Sequence, residues 1–228
     1  MSRTTPRTSG APPIPQLPPP PYQMGLLPDY VRHATPIALR IREHSMPFAS
    51  DDFTVKDAVT RQRIFEVRGK VLSLSQRKTL HDHTGKPLFE FCSTGGAFSK
   101  SYAGYQCGNK RVNLFTVEKI GLLNPKLEIT FVNHVAGGRR EKLVLRGRWL
   151  SRDAEITTQA GVVVAKISRE YSFFDRQTYG AVVAPGVDAA LITALCVCLD
   201  EAYHDGKSRR GGASAGFLGG GAGSSGGC

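Results

Sequence analysis

A cluster of basic residues near position 140 is the main chemical signal in the sequence. It comprises Arg139, Arg140, Lys142, Arg146 and Arg148. The last three have the same parity, so an uninterrupted strand would present them on one face of a sheet. Such a face could bind the phosphate groups of an anionic phospholipid through charge-assisted hydrogen bonds. A strand that uses charge to prevent aggregation would show the same pattern.

Histidine and cysteine residues do not form a recognisable metal or catalytic motif. His81 and His83 would share a strand face, but two imidazoles alone do not make a metal site. Cys196 and Cys198 lie two positions apart in a predicted helix, so their side chains diverge by about 200°. Nucleophile-elbow, phosphate-loop and dinucleotide-binding patterns are missing from the sequence. We therefore predict a protein without catalytic residues, metal or cofactor.

A proline-rich segment near the N-terminus contains a recognition motif. Residues 12–21 have the composition of a polyproline II helix. The segment ends in the P-P-x-Y pattern, with Pro19, Pro20 and Tyr22 as its defining residues. WW domains bind such motifs by docking proline and tyrosine in aromatic-lined pockets. A solubilising spacer would have a similar composition, so a WW-domain partner is one of two interpretations.

Composition and charge limit the classes of function. The chain carries 30 Lys or Arg and 19 Asp or Glu, a net charge of +11. This surplus favours anionic partners or simply a basic surface. Five cysteines, without disulfide or zinc spacing, are typical of a reducing compartment. Because there is no apolar stretch long enough to span a bilayer, we expect a cytoplasmic monomer, peripheral at the membrane if it binds lipid.

Regular alternation of apolar and polar residues separates a folded region from two tails. We predict a disordered proline-rich tail over 1–36, a domain over 37–204 and a disordered glycine-rich tail over 205–228. Many short strands joined by tight turns indicate an antiparallel barrel or sandwich. The predicted strands are 37–42, 52–57, 62–68, 70–75, 78–82, 87–92, 98–106, 111–118, 126–133, 141–149, 152–158, 162–169 and 178–184.

The last predicted element is a helix that is apolar on every face. Asp188 is a candidate N-cap, and an apolar run follows from Ala189 to Leu199. A helix without a polar face must be enclosed by the rest of the fold. We therefore expect a mainly β fold, a closed antiparallel barrel of about twelve strands around this helix. Its buried side chains would include Leu191, Ile192, Leu195 and Leu199.

Five segments give the chain a resemblance to the LURP-one-related proteins, whose fold is shared with the tubby C-terminal domain and the phospholipid scramblases. These segments are Phe53–Asp57, Gly69–Leu74, Leu80–Leu88, Gly147–Arg152 and Val183–Leu191. The resemblance implies a twelve-stranded antiparallel barrel threaded by the hydrophobic helix. It implies little chemistry, because the family has no established catalytic activity. The segment 92–107 departs from the family pattern, since it lacks the usual basic pair and tryptophan.

Two classes of function follow from these observations. The first is a non-enzymatic intracellular binding module that docks on phosphoinositide head groups through the basic face and on WW-domain proteins through the tail. The second is a lipid-handling protein of the scramblase type, although the cysteine-rich segment usual in scramblases is missing. A basic nucleic-acid-associated regulator is a third alternative, but it is disfavoured because no aromatic residues interleave with the cationic cluster.

Overall fold

The computed structural model describes residues 14–44, 52–69, 77–95, 101–120, 126–148, 153–168 and 178–211. Side chains are described as far as Glu201, except that of Arg148. The predicted strand 70–75 and the predicted tail residues 1–13 and 212–228 lie outside the described residues. The other predicted strands all have a counterpart in the structure.

The described residues form twelve antiparallel strands, each paired with its neighbours in sequence. Pairing of β1 with β12, which places Ile41 opposite Tyr179, closes the sheet into a barrel and confirms the predicted fold class. The strands are β1 (Ile37–His44), β2 (Asp52–Asp57), β3 (Arg63–Gly69), β4 (Lys78–Asp82), β5 (Pro87–Ser93), β6 (Tyr102–Gln106), β7 (Asn109–Ile120), β8 (Lys126–Asn133), β9 (Arg139–Arg148), β10 (Asp153–Thr158), β11 (Val163–Ser168) and β12 (Thr178–Val183).

Alternate side chains point into the barrel and fill it with aromatic rings. Phe89, Phe91, Phe115 and Phe131 are fully buried, as expected for inward positions of strands with period two. Gly104 lies opposite Phe91 on one side and Phe115 on the other. A Cβ atom at this glycine would lie 2.0 Å from Cε1 of Phe115. The divergent segment 92–107 therefore contributes strand β6, in which the absence of a side chain at Gly104 leaves space for the Phe115 ring, and the pairing of β6 with β7 shifts register after this glycine.

Helix α1 (Ala189–Gly211) follows the last strand, and its first part, from Ala189 to Asp200, is buried inside the barrel. Leu191, Ile192, Leu195 and Leu199 are all buried, so the apolar run is enclosed. The hydroxyl of the inward Tyr179 donates to the carbonyl of Cys196, at 3.0 Å. The helix continues to Gly211, past the predicted domain end at 204. No helix in the described part of the chain is both long and apolar enough to cross a membrane.

The N-terminal segment 14–36, which we call the strap, is ordered against the barrel, and this corrects the prediction of a disordered tail over 1–36. Leu17, Met24, Leu26 and Val31 are buried. Among them, Met24 forms a parallel bridge with Val187. The prediction is wrong for this segment because it relied on average composition, in which the high proline content outweighed the four apolar residues that anchor the segment.

Asp188 joins the strap to the start of α1. Its Oδ1 atom accepts hydrogen bonds from the backbone N–H groups of Ala190 and Leu191, and its Oδ2 atom from those of Leu26 and Leu27. Its backbone N–H donates to the carbonyl of Met24, at 2.8 Å. One buried carboxylate thus caps the helix, as predicted, and also holds the strap across this end of the barrel.

The approach of the strap to this cap depends on a glycine. A Cβ atom on Gly25 would lie 2.2 Å from the Cβ of Asp188. The backbone N–H of Gly25 also donates to Oδ1 of Asn133, at 3.1 Å. Glycine is therefore the residue type that lets the strap lie against both the helix cap and β8.

Candidate functional site

Strand β9 presents the predicted basic residues on the outside of the barrel. Leu143 and Leu145 are buried inward, whereas Lys142 and Arg146 are exposed. The predicted shared face is therefore correct for these two cations. Arg148 is the last residue of the strand, and its side chain lies outside the described set.

Acidic residues on the neighbouring strands interrupt this face. The Nζ atom of Lys142 lies 2.6 Å from Oε1 of Glu128 on β8. Arg146 lies opposite Glu155 on β10, and that carboxylate also pairs with Lys166 at 2.9 Å. The five predicted cations therefore do not form one uniformly positive surface. Among the four cations with described side chains, Lys142 is paired with Glu128 and Arg139 with Glu141.

Part of the basic cluster lines a cavity between the strap and the start of β9. The cavity has a volume of about 500 Å³. Three of the predicted cations line it, namely Arg139, Arg140 and Lys142. The rest of its wall comes from the strap and from the β10–β11 turn: Pro21, Tyr22, Met24, Glu141, Thr158, Gln159, Ala160 and Val162. None of the described residues forms an ion pair with Arg140.

Glu141 is the acidic residue that lines this cavity, and both of its carboxylate oxygens accept hydrogen bonds from neighbouring side chains. Its Oε1 atom accepts hydrogen bonds from Nε of Arg139 and from Nδ2 of Asn133, at 3.2 and 2.9 Å. Its Oε2 atom accepts from the Tyr22 hydroxyl, at 3.0 Å. Of these three donors only Arg139 carries a charge, so the Arg139–Glu141 pair is neutral overall and Arg140 adds a positive charge beside it.

The P-P-x-Y residues lie against the barrel instead of projecting from it. Pro20 is buried, whereas Pro19 is exposed. Tyr22 is 41% exposed, and the guanidinium of Arg139 lies 4.8 Å from the centre of its ring. Partial burial and the neighbouring Glu141 carboxylate raise the pKa of Tyr22, so its hydroxyl stays protonated and donates.

A second basic surface, missed by sequence reasoning, lies on β1, β2 and β3. Lys56 is opposite Arg40 on one side and Arg63 on the other. Like charges directly opposite each other destabilise a sheet. Arg63 donates to Glu66, but no described residue forms an ion pair with Arg40 or Lys56. The three residues lie on consecutive strands, and only the register of the strand pairing places them side by side.

The histidine and cysteine residues do not form a metal site or a reactive centre within the described part of the chain. His81 contacts the Thr79 carbonyl through Nδ1, and no described group of three or more His, Cys, Asp or Glu residues is placed to hold a metal ion. Burial raises the pKa of the Cys196 and Cys198 thiols well above the ordinary range. Both thiols therefore stay protonated, which favours the structural role expected from the sequence.

Comparisons with known proteins agree with this architecture. No curated protein matches the chain significantly. An X-ray structure of a protein from Arabidopsis thaliana is 22% identical, with a TM-score of 0.55; the match covers 77% of this chain and 95% of that one. This likeness shows the shared fold. The family model described as LURP-one-related matches residues 37–200, from the first strand of the barrel into its central helix. The chain therefore belongs to the LURP-one-related family.

Proposed function

We propose that this protein is a non-enzymatic module that binds the phosphorylated head group of an anionic phospholipid in the cavity between the strap and β9. The observation that carries this proposal is the convergence of Arg139, Arg140 and Lys142 on a single cavity. Arginine and lysine are the usual donors to phosphate oxygens, and Arg140 has no ion-pair partner among the described residues.

The remaining wall of the cavity suits a head group. Thr158 and Gln159 supply polar groups beside the three cations, whereas Met24, Ala160 and Val162 are apolar. A volume of about 500 Å³ is within the range of small-molecule sites. The cavity would thus bind phosphate groups at its basic side and cover the ring of a sugar or inositol with its apolar side.

Vesicle sedimentation of the full chain tests this proposal. The variant Arg140→Gln with Lys142→Gln removes two cavity charges, and Arg40→Gln with Lys56→Gln is the matched control, because it removes two charges from the β1–β3 row. On phosphatidylcholine vesicles that contain a phosphoinositide, we expect the cavity variant to bind about 30-fold more weakly than wild type, at about 1 kcal/mol per charge. The control variant should change binding by much less.

The lipid composition and the salt series separate specific binding from general attraction. Phosphatidylserine vesicles of the same charge should bind more weakly than phosphoinositide vesicles, and free inositol phosphate should compete. Raising the salt concentration should weaken wild type more than the cavity variant, because screening acts on the charges that remain. Equal binding by wild type and the cavity variant, or no binding at any salt concentration, would contradict the proposal. A larger loss in the control variant would assign the lipid to the β1–β3 row instead.

A further inference from the structure

The strap holds its P-P-x-Y motif between two anchors on the barrel. On the N-terminal side Leu17 is buried in the hydrophobic core cluster. On the C-terminal side the Met24 N–H donates to the Gly186 carbonyl at 3.0 Å, and Asn133 Nδ2 donates to the Gln23 carbonyl at 3.1 Å. The motif is therefore a short bridge between fixed points, distinct from the cap at Asp188.

Two of the three residues that define the motif are engaged by the barrel. Pro20 is buried, and Tyr22 is held by the Glu141 carboxylate and the Arg139 guanidinium. A WW domain binds the prolines on aromatic rings and takes the tyrosine side chain into a second pocket. The same tyrosine cannot occupy that pocket while its hydroxyl donates to Glu141 and its ring lies under Arg139.

We propose that the strap is an autoinhibited WW-domain ligand, kept closed by the contacts of Tyr22 with Glu141 and Arg139. Opening must also expose the buried Pro20, but the change stays local, because Arg139 is 61% exposed and the anchors on both sides of the motif do not involve the Tyr22 side chain. Residues 18–22 could therefore leave the surface while Leu17 and Met24 remain in place. The released segment already has the proline content of the extended conformation that WW domains bind.

The test compares full-length variants with a recombinant WW domain of the P-P-x-Y-binding class, by isothermal titration calorimetry. Arg139→Ala with Glu141→Ala removes both contacts of Tyr22 and leaves the net charge unchanged. Glu128→Ala with Lys142→Ala is the matched control, because it removes another ion pair of the same hairpin without touching Tyr22. Circular dichroism and thermal unfolding establish that each variant is folded.

We expect the Arg139/Glu141 double variant to bind the WW domain at least about tenfold more tightly than wild type, and the Glu128/Lys142 control to bind like wild type. Adding Tyr22→Ala to the first variant should abolish binding, which would show that the motif is the ligand. Equal affinity of wild type and the Arg139/Glu141 variant would overturn the autoinhibition. Absence of binding by every variant would overturn the assignment of the motif to WW domains.

Discussion

Replacement of Asp188 by Asn tests whether one carboxylate joins the strap to α1. In the structure its two oxygens accept four backbone hydrogen bonds, from Ala190 and Leu191 at 2.8 and 3.2 Å and from Leu26 and Leu27 at 2.9 Å each. Asn keeps one acceptor oxygen but turns an NH₂ group toward the other pair of donors. Two buried N–H groups then lose their acceptor, at about 1–3 kcal/mol each. We expect the free energy of unfolding to fall by about 2–6 kcal/mol.

Urea unfolding followed by circular dichroism measures this change. Asp29→Asn is the matched control, because Asp29 is a strap carboxylate whose side chain is 79% exposed and whose ion pair with Arg32 spans 3.5 Å. The control should lose less than about 0.5 kcal/mol. If Asp188→Asn lost no more than this control, the strap and the helix cap would not depend on the carboxylate.

The pH dependence of the stability of wild type and of Asp188→Asn gives an independent test. Burial raises the pKa of Asp188 from 3.8 to about 6, against the effect of the four N–H donors. Between pH 3.8 and about pH 6 the Asp188 carboxyl is protonated in the folded protein but ionised in the unfolded chain. Its contribution to the free energy of unfolding is therefore greatest below pH 3.8 and falls as the pH rises to about 6. The slope is at most about 1.4 kcal/mol per pH unit. The stability gap between wild type and Asp188→Asn should therefore be wider near pH 4 than near pH 7.

Three further substitutions test the barrel interior. Leu195→Asp buries an unpaired charge, so we expect no soluble folded protein, whereas Leu195→Met should stay soluble and elute like wild type in size-exclusion chromatography. Gly104→Ala places a methyl group against the ring of Phe115 and should cost about 1–3 kcal/mol in thermal unfolding; a second change, Phe115→Leu, should restore part of that loss. Lys78→Ala removes the amine that lies 3.0 Å from the Glu201 carboxylate; we expect a loss of about 1–3 kcal/mol in urea, and an unchanged midpoint would contradict the importance of this pair.

Local patterns in the sequence were sufficient to predict most of the fold. Alternation along the chain identified the strands, because a strand has the same period wherever it lies in a sheet. The apolar run after Asp188 could only be a buried helix, since no polar face remained to meet water. The exception was the strap, where apolar residues such as Leu17 and Met24 stand within proline-rich surroundings. A prediction from average composition misses single apolar residues that pack into the core.

The candidate site was less predictable, because charges act across strands. The face of Lys142 and Arg146 followed from their spacing, but Glu128 and Glu155 reach that face through the register of the β8–β9 and β9–β10 pairings, which the strand predictions did not specify. The same limitation hid the row around Lys56. The hydrogen bond between Tyr22 and Glu141 joins residues more than one hundred positions apart, and no sequence motif predicts this contact.

Closure of the barrel by its first and last strands has a consequence for synthesis of the chain. Ile37 pairs with Val183, and the helix that fills the interior follows only at Ala189. A nascent chain therefore exposes an open sheet edge and an empty apolar interior until α1 has left the ribosome. Exposed edges and apolar faces of this kind promote aggregation and attract chaperones. Eleven of the twelve strand pairings join consecutive strands and can form as the chain emerges, whereas closure of the barrel by β1 and β12 and enclosure of α1 must come last.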